Sequence, residues 1–333
     1  LPTIEGVALV GMVDIVEEDA RQRADEFADV ILSANEGSEA RIDTDLDAML
    51  AQTQPDIVFN CTIPEAHMDV TLTALAHGCH VLGEKPLADS MANARKMVRA
   101  AAQADRLFAV IQNRRFNPAI RRLVRFLRAG TIGEITTLNS DFYIGAHFGG
   151  FRDHMEHVLL LDMAIHTFDA ARLIAGADPV SVYCREWNPP GSWYDHDASA
   201  VAIFELDNGA GYPIVYTYRG SWCAEGLNTS WESDWRVIGQ KGSVTWDGTE
   251  DGFRAQVVTG TGDFRSELAD VEIPPLHPDD KVGSHAGQIA DFVACVREGR
   301  VPETVGMDNI KSLAMVFGAI ESAARQRPVN IEI

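Results

Sequence analysis

The sequence predicts two domains of different class: an α/β domain with a parallel sheet, followed by an α+β domain on a mainly antiparallel, open sheet. Three observations lead there. The chain has 333 residues, more than a single hydrophobic core usually serves. Up to Phe116, short apolar runs alternate with stretches of helical period, which is the texture of βαβ units whose strands are covered on both faces. From Ile135 onward, short alternating strands bounded by turn signals such as Asp207-Asn208-Gly209 take over. The expected divisions are residues 1–115, residues 116–305, and a C-terminal helix and tail over 306–333 that packs back at the boundary.

The elements of the first domain follow in order. Residues 7–14 are a near-continuous apolar run ending in Asp14, and a helix-like stretch begins at Glu17. Residues 56–62 form the next strand, with Pro64, Glu65 and His67 at its tip. Met68, Leu72 and Leu75 then mark one helical face that stops at Gly78. The strand over 79–82 runs into Gly83-Glu84-Lys85-Pro86. A lysine at the carboxyl end of a buried strand lies where open α/β sheets place their ligands, and the proline after it ends the pairing. A helix over 90–105 and a strand over 107–112 complete the alternation. Asn117-Pro118 then supplies an N-cap and a proline at the first helical position, with Ile120, Leu123, Val124 and Leu127 on one face. Arg121, Arg122 and Arg125 read as a solvated face.

In the second domain, residues 161–175 read as a helix stopped by Gly176. Asp162, His166 and Asp169 are spaced i, i+4 and i+7, so the helical pattern places them on one polar stripe. A histidine flanked by carboxylates at that spacing is a general-base candidate. His154 and His157, with Glu156 nearby, match no complete zinc spacing. They read as a polar loop over a substrate, and no metal is expected. The segments 218–222 and 231–235 are aromatic and rich in hydrogen-bonding groups. That suits stacking on a sugar or polyol ring, with Trp222 foremost, and equally suits a core or a subunit interface. Ile289, Phe292, Val293 and Val296 form one late helical stripe; Ile310, Leu313, Phe317 and Ile320 form another.

Composition narrows the partners. With 46% hydrophobic and 23% charged residues the chain is an ordinary globular one. Its formal net charge of -21 repels phosphate backbones and anionic lipid, so neither nucleic acid nor membrane is an expected partner. No apolar run approaches the ~20 residues that span a bilayer, and the start lacks the basic region of a signal peptide. The cysteines, at 61, 79, 184, 223 and 295, are odd in number and include no C-x-x-C pair. They read as free thiols of a cytoplasmic protein.

Glu84-Lys85-Pro86, preceded by Pro64-x-x-His67 and followed by Asn113-Arg114-Arg115-Phe116, resembles the Gfo/Idh/MocA family of glucose-fructose oxidoreductase, inositol dehydrogenase and relatives. Asp162-x-x-x-His166 resembles that family's second catalytic motif. The resemblance implies a Rossmann-like domain and an NAD-dependent oxidation of a secondary alcohol of a sugar, inositol or related polyol. Lys85, Asp162 and His166 become the catalytic residues and substrate contacts, to which the polar loop and the aromatic segment read above add His157 and Trp222. Asp14, Thr62, Pro64, His67, Glu84, Lys85, Asn113 and Arg114 become cofactor contacts. Asp14 at a strand end suits the adenosine ribose of NAD, and no Lys or Arg stands at 15–18 to welcome the 2′-phosphate of NADP.

The chain departs from the family pattern in two places. Leu160, Leu161 and Ala164 stand where the family has glycines. The family's first strand and G-x-G-x-x-G loop are not found, so about 20 residues of the natural start are expected to be missing. The fold also implies that the two halves meet at a cleft, and a homodimer or homotetramer built on the open sheet face. A redox-neutral NAD-assisted lyase or glycosidase, and a non-catalytic cofactor or sugar sensor, are the alternatives.

Overall fold

The computed structural model describes residues 4–333. In chain order the elements begin with β1 (Gly11–Val13), α1 (Glu17–Glu26), α2 (Ala28–Ala34), β2 (Arg41–Asp43), α3 (Leu46–Thr53) and β3 (Ile57–Asn60). There follow α4 (His67–Ala76), β4 (His80–Gly83), α5 (Met91–Ala104), β5 (Phe108–Val110), α6 (Pro118–Arg128) and β6 (Ile135–Tyr143). Next are α7 (Ile165–Ala175), β7 (Asp178–Trp187), β8 (Ser199–Asp207), β9 (Ile214–Ser221), β10 (Asp234–Gly239) and β11 (Gly242–Trp246). The chain ends with β12 (Phe253–Gly260), β13 (Glu267–Val271), α8 (Ser284–Glu298), α9 (Gly306–Arg325) and β14 (Val329–Asn330). Two compact units emerge: the chain to Ile111 with His285–Asn309, and Gln112–Ser284 with Ile310–Ile333.

Among the described residues of the first unit, the strands named above pair in parallel, as the βαβ pattern requires. β1 pairs with β2, and β3, β4 and β5 form a second sheet in that order. Val81, Leu82, Phe108, Ala109 and Val110 are all buried, which is why their strands read as unbroken apolar runs. Ser90 caps α5, its hydroxyl accepting from Asn93 N. β1 is shorter than the apolar run over 7–14, and α3 comes so close that a Cβ on Gly11 would lie 2.5 Å from Met49 Sδ.

The domain boundaries need correction. Phe292 of α8 joins Leu82, Ala109 and Ile111 in one core, with Ile289 and Val296 packed against it. The apolar stripe over 289–296 therefore covers the parallel sheet, and 285–309 belongs to the first unit rather than the second.

The second unit is a nine-stranded sheet in the order β13-β12-β11-β10-β6-β9-β8-β7-β14. It is mainly antiparallel; β6 and β9 run parallel. Strand alternation sends Ala200, Ala202, Phe204 and Leu206 of β8, and Ile214, Tyr216 and Tyr218 of β9, to the inner face. Phe168 of α7 packs edge-on against Phe204 and Tyr218, with ring centroids 4.9 and 5.1 Å apart. β14 extends the sheet beside β7, so the tail from Ile310 is part of this unit and not a separate boundary segment. Among the described residues, no helix is long and apolar enough to cross a membrane.

Candidate active site

The carboxyl ends of β3 and β4 carry the first group of site residues. Asn60 closes β3, and its buried side chain shapes the turn beyond. Oδ1 accepts from Thr62 N at 3.3 Å and Thr62 Oγ1 at 2.6 Å, while Nδ2 donates to His67 O and Thr71 Oγ1, both at 3.1 Å. His67 is buried too, its Nδ1 2.8 Å from Pro86 O and its Nε2 3.0 Å from Thr62 O. The ring thus ties the Thr62-Ile63-Pro64 turn to the Lys85-Pro86 turn. With both nitrogens at backbone carbonyls, His67 holds the loops together; its expected role as a cofactor contact is corrected. Asn60 was missed by sequence reasoning, although an Asn ending an apolar run just before a Thr-x-Pro turn was a usable signal.

At the tip of β4, Glu84 and Lys85 are half-buried, and Lys85 N donates to Glu84 Oε2 at 3.2 Å. Asp14 is exposed directly after β1, and its Oδ1 accepts from Val16 N at 3.0 Å. α1 has no side-chain cap, so Asp14 shapes a local turn rather than capping that helix.

In the second unit the expected helix over 161–175 divides. Residues Leu159–Ala164 form a π turn, and the regular helix α7 starts at Ile165. The wider i→i+5 turn lets Val158, Leu159 and Leu160 all point inward. It also breaks the expected polar stripe. Asp162 and His166 remain partly accessible, whereas Asp169 is fully buried. Arg115 donates to Asp169 through Nε and Nη2, both at 2.7 Å, and Ser312 Oγ donates to it at 2.7 Å. Asp169 is therefore a core anion outside the site.

One partner of Asp162 is a residue that the sequence did not single out. Arg152 Nε donates to Asp162 Oδ2 at 2.8 Å. His157, in left-handed backbone conformation with φ of 54°, pairs through Nδ1 with the nearly buried Glu186 at 2.8 Å. The Glu186 hydrogen bond pushes the His157 imidazole above its ordinary value, against the pull of burial. Burial pushes the Glu186 carboxyl up, and His157 opposes it. Because Nδ1 is engaged, Nε2 is the ring nitrogen available to a substrate oxygen. His154 has a different partner, Asp195, at 2.6 Å, so the two histidines do not converge.

Two further expectations change. Arg114 is buried: Nη1 donates to Thr167 Oγ1 at 3.1 Å, Nη2 donates to Trp231 O, and Nε lies 3.4 Å from the Glu232 carboxylate. Its donors are taken up in bracing the π turn and α7 against the loop at Trp231, so it is a support for that helix and not a cofactor contact. Asn113 Nδ2 donates to Ser284 Oγ at 3.2 Å. Trp222 is buried beneath other rings, its centroid 5.1 Å from Phe142, 5.6 Å from Phe148 and 5.7 Å from Trp231. Trp222 is therefore not open as the expected platform, while Phe148 and Trp231 above it are exposed.

Residues 3–112 match the Gfo/Idh/MocA oxidoreductase family with its NAD-binding Rossmann fold, and residues 120–245 match that family's C-terminal domain. The chain is 30% identical to the y4oX protein of Sinorhizobium fredii, across 82% of this chain and 76% of that protein. The chain belongs to the Gfo/Idh/MocA oxidoreductase family. Another relative is the inositol 2-dehydrogenase of Rhizobium meliloti, 26% identical over 86% of this chain and 84% of that enzyme. In three dimensions the chain is similar to an Agrobacterium radiobacter oxidoreductase solved with NAD+, L-tartaric acid and magnesium, with a TM-score of 0.79. That likeness covers 98% of this chain and 92% of the other at 23% identity.

The first unit of this Gfo/Idh/MocA protein is thus an NAD-binding Rossmann domain, and the described residues fit the cofactor. Thr62, Ile63, Glu84 and Lys85 stand at the carboxyl edge of a parallel sheet, where dinucleotides bind.

Proposed function

We propose that this protein is an NAD-dependent dehydrogenase oxidising a secondary alcohol of a sugar, inositol or related polyol. One observation carries the reading for the catalytic helix. Met163, Ala164, Ile165, Thr167 and Phe168 are all buried, while Asp162 and His166 alone of residues 162–168 keep access to solvent. The names of relatives support the substrate class, among them the inositol 2-dehydrogenase of Rhizobium meliloti.

When bound, NAD supplies the hydride acceptor. The His166 imidazole takes the proton of the reacting hydroxyl as a general base. The Lys85 ammonium hydrogen-bonds the same oxygen and favours the negative charge that grows on it. Asp162 orients the substrate, and Asp14 accepts from the adenosine ribose.

The test is NADH formation with a panel of polyols and sugars, followed by single-turnover hydride transfer and NAD affinity in variants. Lys85→Ala is expected to lose ~10²–10³ in turnover, and His166→Ala about 10²–10⁴, partly relieved at high pH. His166→Ala should not much alter NAD affinity. Asp14→Ala should weaken NAD binding and leave the chemical step of the bound cofactor intact. Near-normal turnover in both the Lys85 and His166 variants would remove the mechanism, and turnover without net NADH would favour a redox-neutral route.

A further inference from the structure

The loop ahead of the π turn brings to Asp162 a side chain that the chemistry above does not use. Arg152 grips the Asp162 carboxylate with two groups, Nε at 2.8 Å from Oδ2 and Nη2 at 3.4 Å from Oδ1. Its guanidinium lies 5.0 Å from the Phe148 ring centroid and 4.7 Å from that of Phe151. Gly149 and Gly150, with φ of 69° and 68°, make the turn that brings the two rings to one cation.

Stability alone does not account for this arrangement. A partly exposed ion pair contributes ~0–1 kcal/mol, yet here two large rings are left 50% and 68% exposed to frame one. Asp162 is 11% and Arg152 30% exposed, so both can meet a ligand. A guanidinium has five N–H donors, and the carboxylate takes two of them. The rings hold its plane in place and lower the local dielectric around its hydrogen bonds.

We propose that Arg152 is a specificity-determining residue that, with Asp162, reads a vicinal diol. The carboxylate accepts from one hydroxyl, and the guanidinium donates to the oxygen next to it. Because Asp162 already balances the charge of Arg152, the pair selects a neutral diol over a sugar acid or sugar phosphate. The inference rests on the polyol reading and adds to it the hydroxyl pattern that the second unit recognises.

The experiment compares inositols and aldoses with their monodeoxy analogues, by calorimetric binding and by kcat/KM, in wild type, Arg152→Lys and Arg152→Met. Wild type is expected to prefer a parent diol over one of its monodeoxy analogues by about 10–100-fold, the worth of a hydrogen bond to a charged group. Arg152→Met should weaken the parent by a similar factor and the analogue only a few-fold, so that discrimination collapses. Arg152→Lys should restore part of it. Equal losses on parent and analogue would mark Arg152 as merely structural and overturn the proposal. So would a wild type that binds every analogue as well as its parent, or binds no member of the panel, and neither result depends on how the variants fold. If wild type binds diols selectively but forms no NADH, the dehydrogenase reading fails while the diol site stands.

Discussion

Asp169 illustrates how one side chain can be indispensable without touching chemistry. Three short charge-assisted or hydroxyl hydrogen bonds converge on it from Arg115 and Ser312, and Arg172 lies 3.9 Å away. Removing the carboxylate strands buried guanidinium charge, so Asp169→Ala is expected to cost about 3–5 kcal/mol in urea unfolding. A loss below ~1 kcal/mol would mean that water or a rearranged partner takes over. The His157–Glu186 pair makes a different prediction, in pH. The folded protein holds the His157 proton more tightly than an unfolded histidine does, chiefly through Glu186. That contribution is complete below the ordinary histidine value and is lost as pH rises through the raised one. Burial of Glu186 also favours its protonated form, so its effect has the same sign. The melting-temperature gap between wild type and His157→Gln should therefore be largest in mildly acidic buffer and shrink as pH is raised past neutrality. A gap that widened instead would contradict the pairing.

At the scale of elements, local chemistry and packing part company between α6 and α7. α6 starts as its residues dictate: Asn117 Oδ1 accepts from Ala119 N at 2.8 Å and Ile120 N at 3.4 Å, and Pro118 occupies the first helical position. Asn117→Ala is accordingly expected to lower stability by about 1 kcal/mol, and Asn117→Gly by only a few tenths. Thermal melts of the two variants check this, and equal losses would show that the cap bonds carry no weight. α7 obeys its own signals only at its end, where Gly176 takes the left-handed conformation at φ of 61°. Its beginning is the π turn over Leu159–Ala164, where Val158, Leu159 and Leu160 are all buried.

For the whole molecule, the outer face of the second unit's sheet is where the expected assembly is tested. Its inner face holds Ile214, Tyr216 and Tyr218, so most of the large apolar side chains of β9 lie inside. What remains outside is a patch of exposed Tyr183, Ile203 and Val215 on adjacent strands, with Tyr183 directly opposite Ile203 in the β7–β8 register. We propose that this cluster is the contact for a second copy. Light scattering is expected to give a dimer or tetramer, and Ile203→Asp to shift it toward monomer with unchanged circular dichroism. A strict wild-type monomer at micromolar concentration would refute the assembly.

Periodicity and end signals were enough to place most elements, because the residues involved are near neighbours in the chain. Ser90 and Asn117 cap the helices they announce, the unbroken apolar strands became the parallel sheet, and the alternating ones became the antiparallel sheet. Lys85, Asp162 and His166 could be singled out because short motifs carry them. What the sequence could not supply was the partner of each polar group. Asp162 and Asp169 look alike at helical spacing, yet one meets Arg152 at a partly open surface and the other meets Arg115, which stands 54 residues away, in the core. Arg114, His67 and Trp222 became supports, and Glu186 and Arg152 became neighbours of the site, for the same reason. Burial and pairing across long stretches of chain are properties of the packed fold, and no local pattern encodes which side chains will share one desolvated space.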